Sequence, residues 1–286
     1  MPYYVTDDHC RLYYEERGPK DGKNVIFIHG GGCSHYFYKR NVPEFAKKFH
    51  VVTYDQRCHG NSERVEHGVY FERMAQDLKE LMEYLDLKDV TLIGHSMGAN
   101  IIWQYVKDNG CENIAKVVIY EMSPKMLTDD EWKLGFGPAH DVLEYYRMQA
   151  GHYEDLGFYW SAVSMFGEGE WPQEDISWTM DQMAYSDCPI SVYIQCCDSD
   201  YRDVVPKVTV PCLITYGTRK SLYTPEVSQW VAEHCGGPTQ VEAFDGGHMC
   251  CFQDADHWNR VVMEFIAKPL SEFSEGGAGN NSKETA

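Results

Sequence analysis

Along the first 124 residues, short apolar runs alternate with stretches whose apolar residues recur at helical spacing. Tyr3–Thr6 and Arg11–Glu16 flank a polar turn and read as an opening hairpin. Val25–His29, Val51–Tyr54, Val90–Gly94 and Lys116–Tyr120 are nearly continuous apolar runs, the pattern of parallel strands covered on both faces. Between them, Phe71–Leu85 places Met74, Leu78, Leu81, Met82 and Leu85 at helical spacing, and Met97–Asn109 predicts a helix closed by Asn109-Gly110. The rhythm stops near Lys125 and resumes at Val210. Cys212–Tyr216 then reads as a strand, Pro225–His234 as a helix with proline in its first turn, Gln240–Phe244 as a strand and Asp254–Ala267 as a last helix. The predicted class is α/β, a mostly parallel sheet with helices on both faces. Residues 1–124 and 206–270 form its core, and 125–205 form a helical cap inserted after the strand that follows the Met97 helix. Residues 271–286 are small and polar and are expected to be a disordered tail.

Charge narrows the partners. The 286 residues carry a formal net charge of −19, a field that repels polyphosphate and anionic lipid, so neither nucleic acid nor a membrane is expected as a partner. Residues 125–205 hold 16 Asp+Glu and 4 Lys+Arg, so the acidity belongs mainly to the cap. No basic and apolar leader opens the sequence, and no apolar run is long enough to span a bilayer. The eleven cysteines are odd in number and irregular in spacing, with vicinal pairs at Cys196-Cys197 and Cys250-Cys251. Such usage fits small buried hydrophobes in a reducing, cytoplasmic setting better than a disulfide framework or a metal knuckle.

The candidate chemistry sits at predicted strand ends. Gly94-His95-Ser96-Met97-Gly98 is a G-x-S-x-G that follows a strand and opens a helix, so Ser96 is the candidate nucleophile on a tight turn flanked by small residues. A hydroxyl needs a base within reach, and His248, in Phe244-Asp245-Gly246-Gly247-His248 just beyond the last strand, is the candidate. Ile28-His29-Gly30-Gly31-Gly32-Cys33 runs a strand into three glycines, which can turn backbone N–H groups toward an oxyanion. The expected donors are the N–H groups of Gly31 and Met97, with Gly32 as the alternative to Gly31. No G-K-[ST] follows, which argues against a phosphate loop, and no cluster with metal-ligand spacing or cofactor motif is visible.

Taken together, residues 10–268 resemble the α/β-hydrolase superfamily, in the branch of serine esterases, non-haem haloperoxidase-type enzymes and lactone hydrolases. H-G-G-G, G-H-S-M-G and the terminal G-G-H occur in the family's order, as does Asp55-Gln56-Arg57-Cys58-His59-Gly60-Asn61-Ser62, which resembles its D-x-R-G-x-G-x-S turn. Cys58 stands where that turn has glycine. The resemblance implies a serine nucleophile, no cofactor and a small-molecule substrate. It also implies an acid soon after the strand that follows the cap, yet Thr218–Leu222 contain no carboxylate, and Glu226 reads as a charge at a helix start. Some members carry the acid directly after the strand that follows the elbow helix. Glu121 stands there, in a Glu121-Met122-Ser123-Pro124-Lys125 run similar to fungal lactone hydrolases acting on resorcylic macrolides. Glu121 is therefore the expected triad acid and Asp245 the alternative.

The cap holds 14 of the 39 aromatics, including Trp132, Trp160, Trp171 and Trp178, which suits either a pocket roof for an apolar or aromatic group or simple packing of a lid. Met126, Tyr145 and Trp160 are the candidate substrate contacts. The expected activity is hydrolysis of a carboxylic ester or lactone through an acyl-enzyme. C–C bond hydrolysis, hydroxynitrile-lyase-type elimination, perhydrolysis or a ligand-binding receptor on the same fold remain open.

Overall fold

The computed structural model describes residues 2–150, 156–186 and 188–273. Its strands are β1 (Tyr3–Val5), β2 (Arg11–Arg17), β3 (Asn24–Ile28), β4 (His50–Tyr54), β5 (Val90–His95), β6 (Ile114–Tyr120), β7 (Cys212–Gly217) and β8 (Thr239–Phe244). They form one sheet in the order β1-β2-β4-β3-β5-β6-β7-β8. β1 and β2 are antiparallel to their neighbours, and the other pairs run parallel.

The continuous apolar runs follow from burial on both faces. Successive side chains of a strand point to opposite sides. Ile26 and Ile28 of β3 accordingly join a core with the helices α2 (Phe71–Tyr84), α3 (Met97–Asn109) and α8 (Pro225–His234), through residues such as Leu78, Ile102 and Val231. Val25 and Phe27 join the opposite core with α1 (Val42–Phe45) and α10 (Ala255–Ala267), through Phe45, Trp258 and Val262. Parallel strands sandwiched in this way present their carboxyl ends along one edge, where the candidate residues lie.

Among the described residues, four helices stand between β6 and β7: α4 (Ala139–Ala150), α5 (Leu156–Phe166), α6 (Gln173–Ser186) and α7 (Ile190–Asp198). These helices occupy the inner part of the 125–205 insertion. Its first residues are irregular: Lys125 bridges Asp200, Leu127 bridges Gly137, and the Trp132 indole donates to the Lys125 carbonyl at 2.8 Å. The Lys125–Asp200 bridge closes the base of the insertion, and these irregular ties leave no local periodicity to read. Ser186 Oγ donates to the carbonyl of Cys33 at 2.7 Å, and Arg64 donates to that of Ser186 at 2.8 Å, fixing the end of α6 to the core.

The first residues of the expected tail, up to Phe273, are ordered. Leu270–Phe273 form a turn of 3-10 helix, because Phe273 packs edge-on against Phe265 at 5.4 Å and lies beneath the Lys116 ammonium. The rest of the expected tail, residues 274–286, lies outside the described residues. Among the described residues, no helix is long and apolar enough to cross a membrane.

Candidate active site

The turn from β5 into α3 places Ser96 at φ 51° and ψ −122°, a conformation few non-glycine residues adopt. Its neighbours must be small. A Cβ on Gly98 would stand 2.2 Å from the carbonyl oxygen of Ile28, and one on Gly94 would stand 2.6 Å from that of Gly98. The next strand end repeats the device: Glu121 follows β6 at φ 51°. His95 and Tyr120 are the last paired residues of β5 and β6, so Ser96 and Glu121 leave the ladder side by side. The Ser96 amide still donates to the Tyr120 carbonyl at 2.9 Å, and that of Glu121 to Thr215 at 3.2 Å. Strain of about 1–3 kcal/mol at each such residue persists only where surrounding bonds enforce it, and it concentrates at functional sites.

His248 enters from the loop after β8. Its Nδ1 lies 3.4 Å from Glu121 Oε2, and the other carboxylate oxygen accepts the Gly217 N–H at 2.6 Å. Both side chains are buried. Asp245 points elsewhere: its carboxylate receives Arg219 Nε and Nη2 at 2.7 and 2.9 Å, and it is 64% exposed. The guanidinium holds this carboxyl below its ordinary range. Glu226 sits in the first turn of α8, as its position after Pro225 implied.

The glycine loop is braced from behind. His29 Nε2 accepts the Gln56 N–H at 3.0 Å, its Nδ1 lies 2.8 Å from the Gly30 carbonyl, and the Gln56 amide donates to the His29 carbonyl at 2.6 Å. Complete burial pushes the His29 imidazole down to about 4, so it stays neutral. Asp55 accepts from the His35 and Asn61 amides, which makes its turn a structural support. Cys58 keeps the backbone shape its glycine counterpart would have, at φ 62°. Gly31 and Met97 adjoin, since a Cβ on Gly31 would lie 3.7 Å from Met97 Sδ.

The substrate contacts are less well matched. Met126 is buried in the core, where the Tyr146 hydroxyl meets its sulfur at 3.3 Å. The side chains of Tyr145 and Trp160 lie outside the described residues. Of the insertion's tryptophans, Trp132 packs against Trp230 and Trp171 against Arg219. Trp178 stacks on Phe252 and joins Cys33, Phe37, His95, Met165 and Met249 around a small apolar pocket. Two tyrosines escaped the sequence reading. Tyr193 stacks on Tyr146 at 4.3 Å, and its ring lies 3.0 Å from the Cβ position of Gly31. The Tyr223 ring lies 6.1 Å from that of His248. Neither carries a local signal, because each reaches the site from a distant element. Among the described residues, no group of three His, Cys, Asp or Glu could hold a metal ion.

Comparison with known proteins matches residues 23–152 to the alpha/beta hydrolase fold family. A non-heme chloroperoxidase of Burkholderia pyrrocinia is 32% identical over 134 residues, 46% of this chain and 48% of that protein. The bifunctional esterase/perhydrolase DCH of Acinetobacter calcoaceticus is 25% identical over 281 residues, 96% of this chain and 99% of its own. In three dimensions the chain is similar to an esterase from Exiguobacterium antarcticum, with TM-score 0.85 at 22% identity over 93% of this chain and 99% of that one. With its strand order, its strand-turn-helix serine and these similarities, the chain has the α/β-hydrolase fold, and its residues 23–152 match that family.

Proposed function

We propose that this protein is a serine hydrolase that cleaves a carboxylic ester or lactone of a small, apolar or aromatic substrate through an acyl-enzyme. One observation carries the reading: adjacent strand ends turn Ser96 and Glu121 out of the sheet together, with Glu121 beside the imidazole of His248. In this scheme Ser96 Oγ attacks the acyl carbon while His248 accepts its proton. Glu121 holds the Nδ1–H tautomer and stabilises the imidazolium. The N–H groups of Gly31 and Met97, at the loop and at the start of α3, stabilise the tetrahedral oxyanion, each worth about 2.7–4 kcal/mol. His248 returns the proton to the leaving alcohol. It then activates a water that releases the acid and frees Ser96.

The Tyr193 ring beside Gly31 and the Tyr223 ring beside His248 support an uncharged acyl or alcohol group. A screen of p-nitrophenyl esters and aromatic lactones, read as acid release over many turnovers, tests the reading. Wild-type protein should turn over, and Ser96→Ala should lose at least about a thousandfold in kcat. Ser96→Ala at wild-type rate defeats the mechanism, and tight ligand binding without turnover favours a receptor.

A further inference from the structure

His95 and Tyr120 stand one residue before Ser96 and Glu121 and are paired across β5 and β6. Both reach back to a single atom of the third proposed triad residue. His95 Nε2 lies 2.9 Å from the backbone carbonyl oxygen of His248, and the Tyr120 hydroxyl donates to the same oxygen at 2.7 Å. The Tyr120 oxygen in turn accepts the Cys251 N–H at 3.1 Å, so it grips the loop at two points.

A carbonyl only accepts, so Nε2 of His95 carries the proton and Nδ1 is bare. Burial, reinforced by the nearby His248, keeps the His95 imidazole well below its ordinary range and therefore neutral. Its Nδ1 has no hydrogen-bond partner among the described residues. The ring stacks on Phe37 at 4.4 Å and 10° and leans on Tyr120 at 4.6 Å. An aromatic hydrocarbon would fill this slot without leaving a buried nitrogen unpaired. What the imidazole adds is the Nε2–H bond to His248. Its neutrality matters equally, since a second cation here would oppose the charge that His248 gains during catalysis.

We infer that His95 and Tyr120 are positioning residues that fix the His248 loop through its carbonyl, so the register of β5 against β6 sets the placement of all three triad groups. The inference rests on the serine-hydrolase reading above. Its test compares Tyr120→Phe, His95→Phe and His95→Gln, whose side-chain amide still offers a donor. Steady-state kinetics and amide hydrogen exchange of residues 245–251 are measured on each.

Tyr120→Phe and His95→Phe should speed exchange in that loop and lower kcat about ten- to a hundredfold with KM nearly unchanged, the scale on which ångström-level misplacement acts. His95→Gln should recover most of both losses. The inference is overturned if folded Tyr120→Phe exchanges like wild type, or if a loosened loop leaves kcat intact. Should His95→Phe fail to fold, Tyr120→Phe decides alone. Equal ester turnover by wild type and Ser96→Ala would instead defeat the functional reading, and hydrogen exchange would still decide the clamp.

Discussion

Replacing Glu121 by glutamine changes one atom type at the centre of the proposed triad. The volume and the bond to the Gly217 N–H can survive, because one oxygen remains. What disappears is the negative charge 3.4 Å from His248 Nδ1. With both groups buried and an effective dielectric of ~20, 332/(ε·r) gives about 5 kcal/mol of attraction to an imidazolium. The amide dipole restores part of this, leaving about 4 kcal/mol, or about a thousandfold in kcat. The amide also presents N–H to Nδ1 and favours the tautomer that cannot accept the serine proton. Stopped-flow and steady-state kinetics on one p-nitrophenyl ester should show kcat falling about 10³-fold with KM within about threefold. Asp245→Asn should stay within about threefold of wild type, because its carboxylate is exposed and engaged by Arg219. Full activity in Glu121→Gln, with collapse in Asp245→Asn, would refute the assignment.

Other consequences can be measured without a substrate. Gly98→Ala drives a methyl group to 2.2 Å from the Ile28 carbonyl and should cost at least about 2–3 kcal/mol, read by urea denaturation; an unchanged midpoint contradicts the close-approach account. Arg57→Met leaves Asp77, held by the buried guanidinium at 2.7 Å, without that partner, and should destabilise by about 3–5 kcal/mol; a loss below about 1 kcal/mol would contradict it. Burial pushes His29 down to about 4 and His59 to about 3, both below the unfolded value, so the unfolded chain binds more protons across the interval between. Stability from these two residues is therefore present above about pH 6.5 and lost as pH falls toward 4, at about 1.4 kcal/mol per pH unit for each. Unfolding free energies measured from pH 7 to 4.5 should show that slope, and His59→Gln should reduce it by about one histidine's share; a flat profile would contradict the burial argument.

Local chemistry made much of the scaffold legible. Helices α3 and α8 occur at the residues that the Asn109-Gly110 stop and the Pro225 start indicated, because those signals act within one turn. β5 runs one residue beyond the apolar run because His95 pairs with Tyr120 before the chain breaks away at Ser96. The serine, histidine and Glu121 were readable as residues at strand ends, and the position of Glu121 beside His248 follows from the parallel register of β5, β6 and β7. The converging bonds on the His248 carbonyl were not readable, since they join residues 128 and 153 apart in the chain. The same holds for the first residues of the insertion, shaped by the Lys125 bridge to Asp200, and for Phe273, whose single apolar ring anchors an otherwise polar run.

The acyl-enzyme itself is the most direct object of measurement. Wild-type protein mixed with a p-nitrophenyl ester, quenched at early times and mapped by peptide mass spectrometry, should carry the acyl group on Ser96. The adduct should form far more slowly in His248→Ala, which lacks the base for attack, and it should be absent from Ser96→Ala. An acyl group found on another residue, or sustained turnover in Ser96→Ala, would contradict the account at its centre.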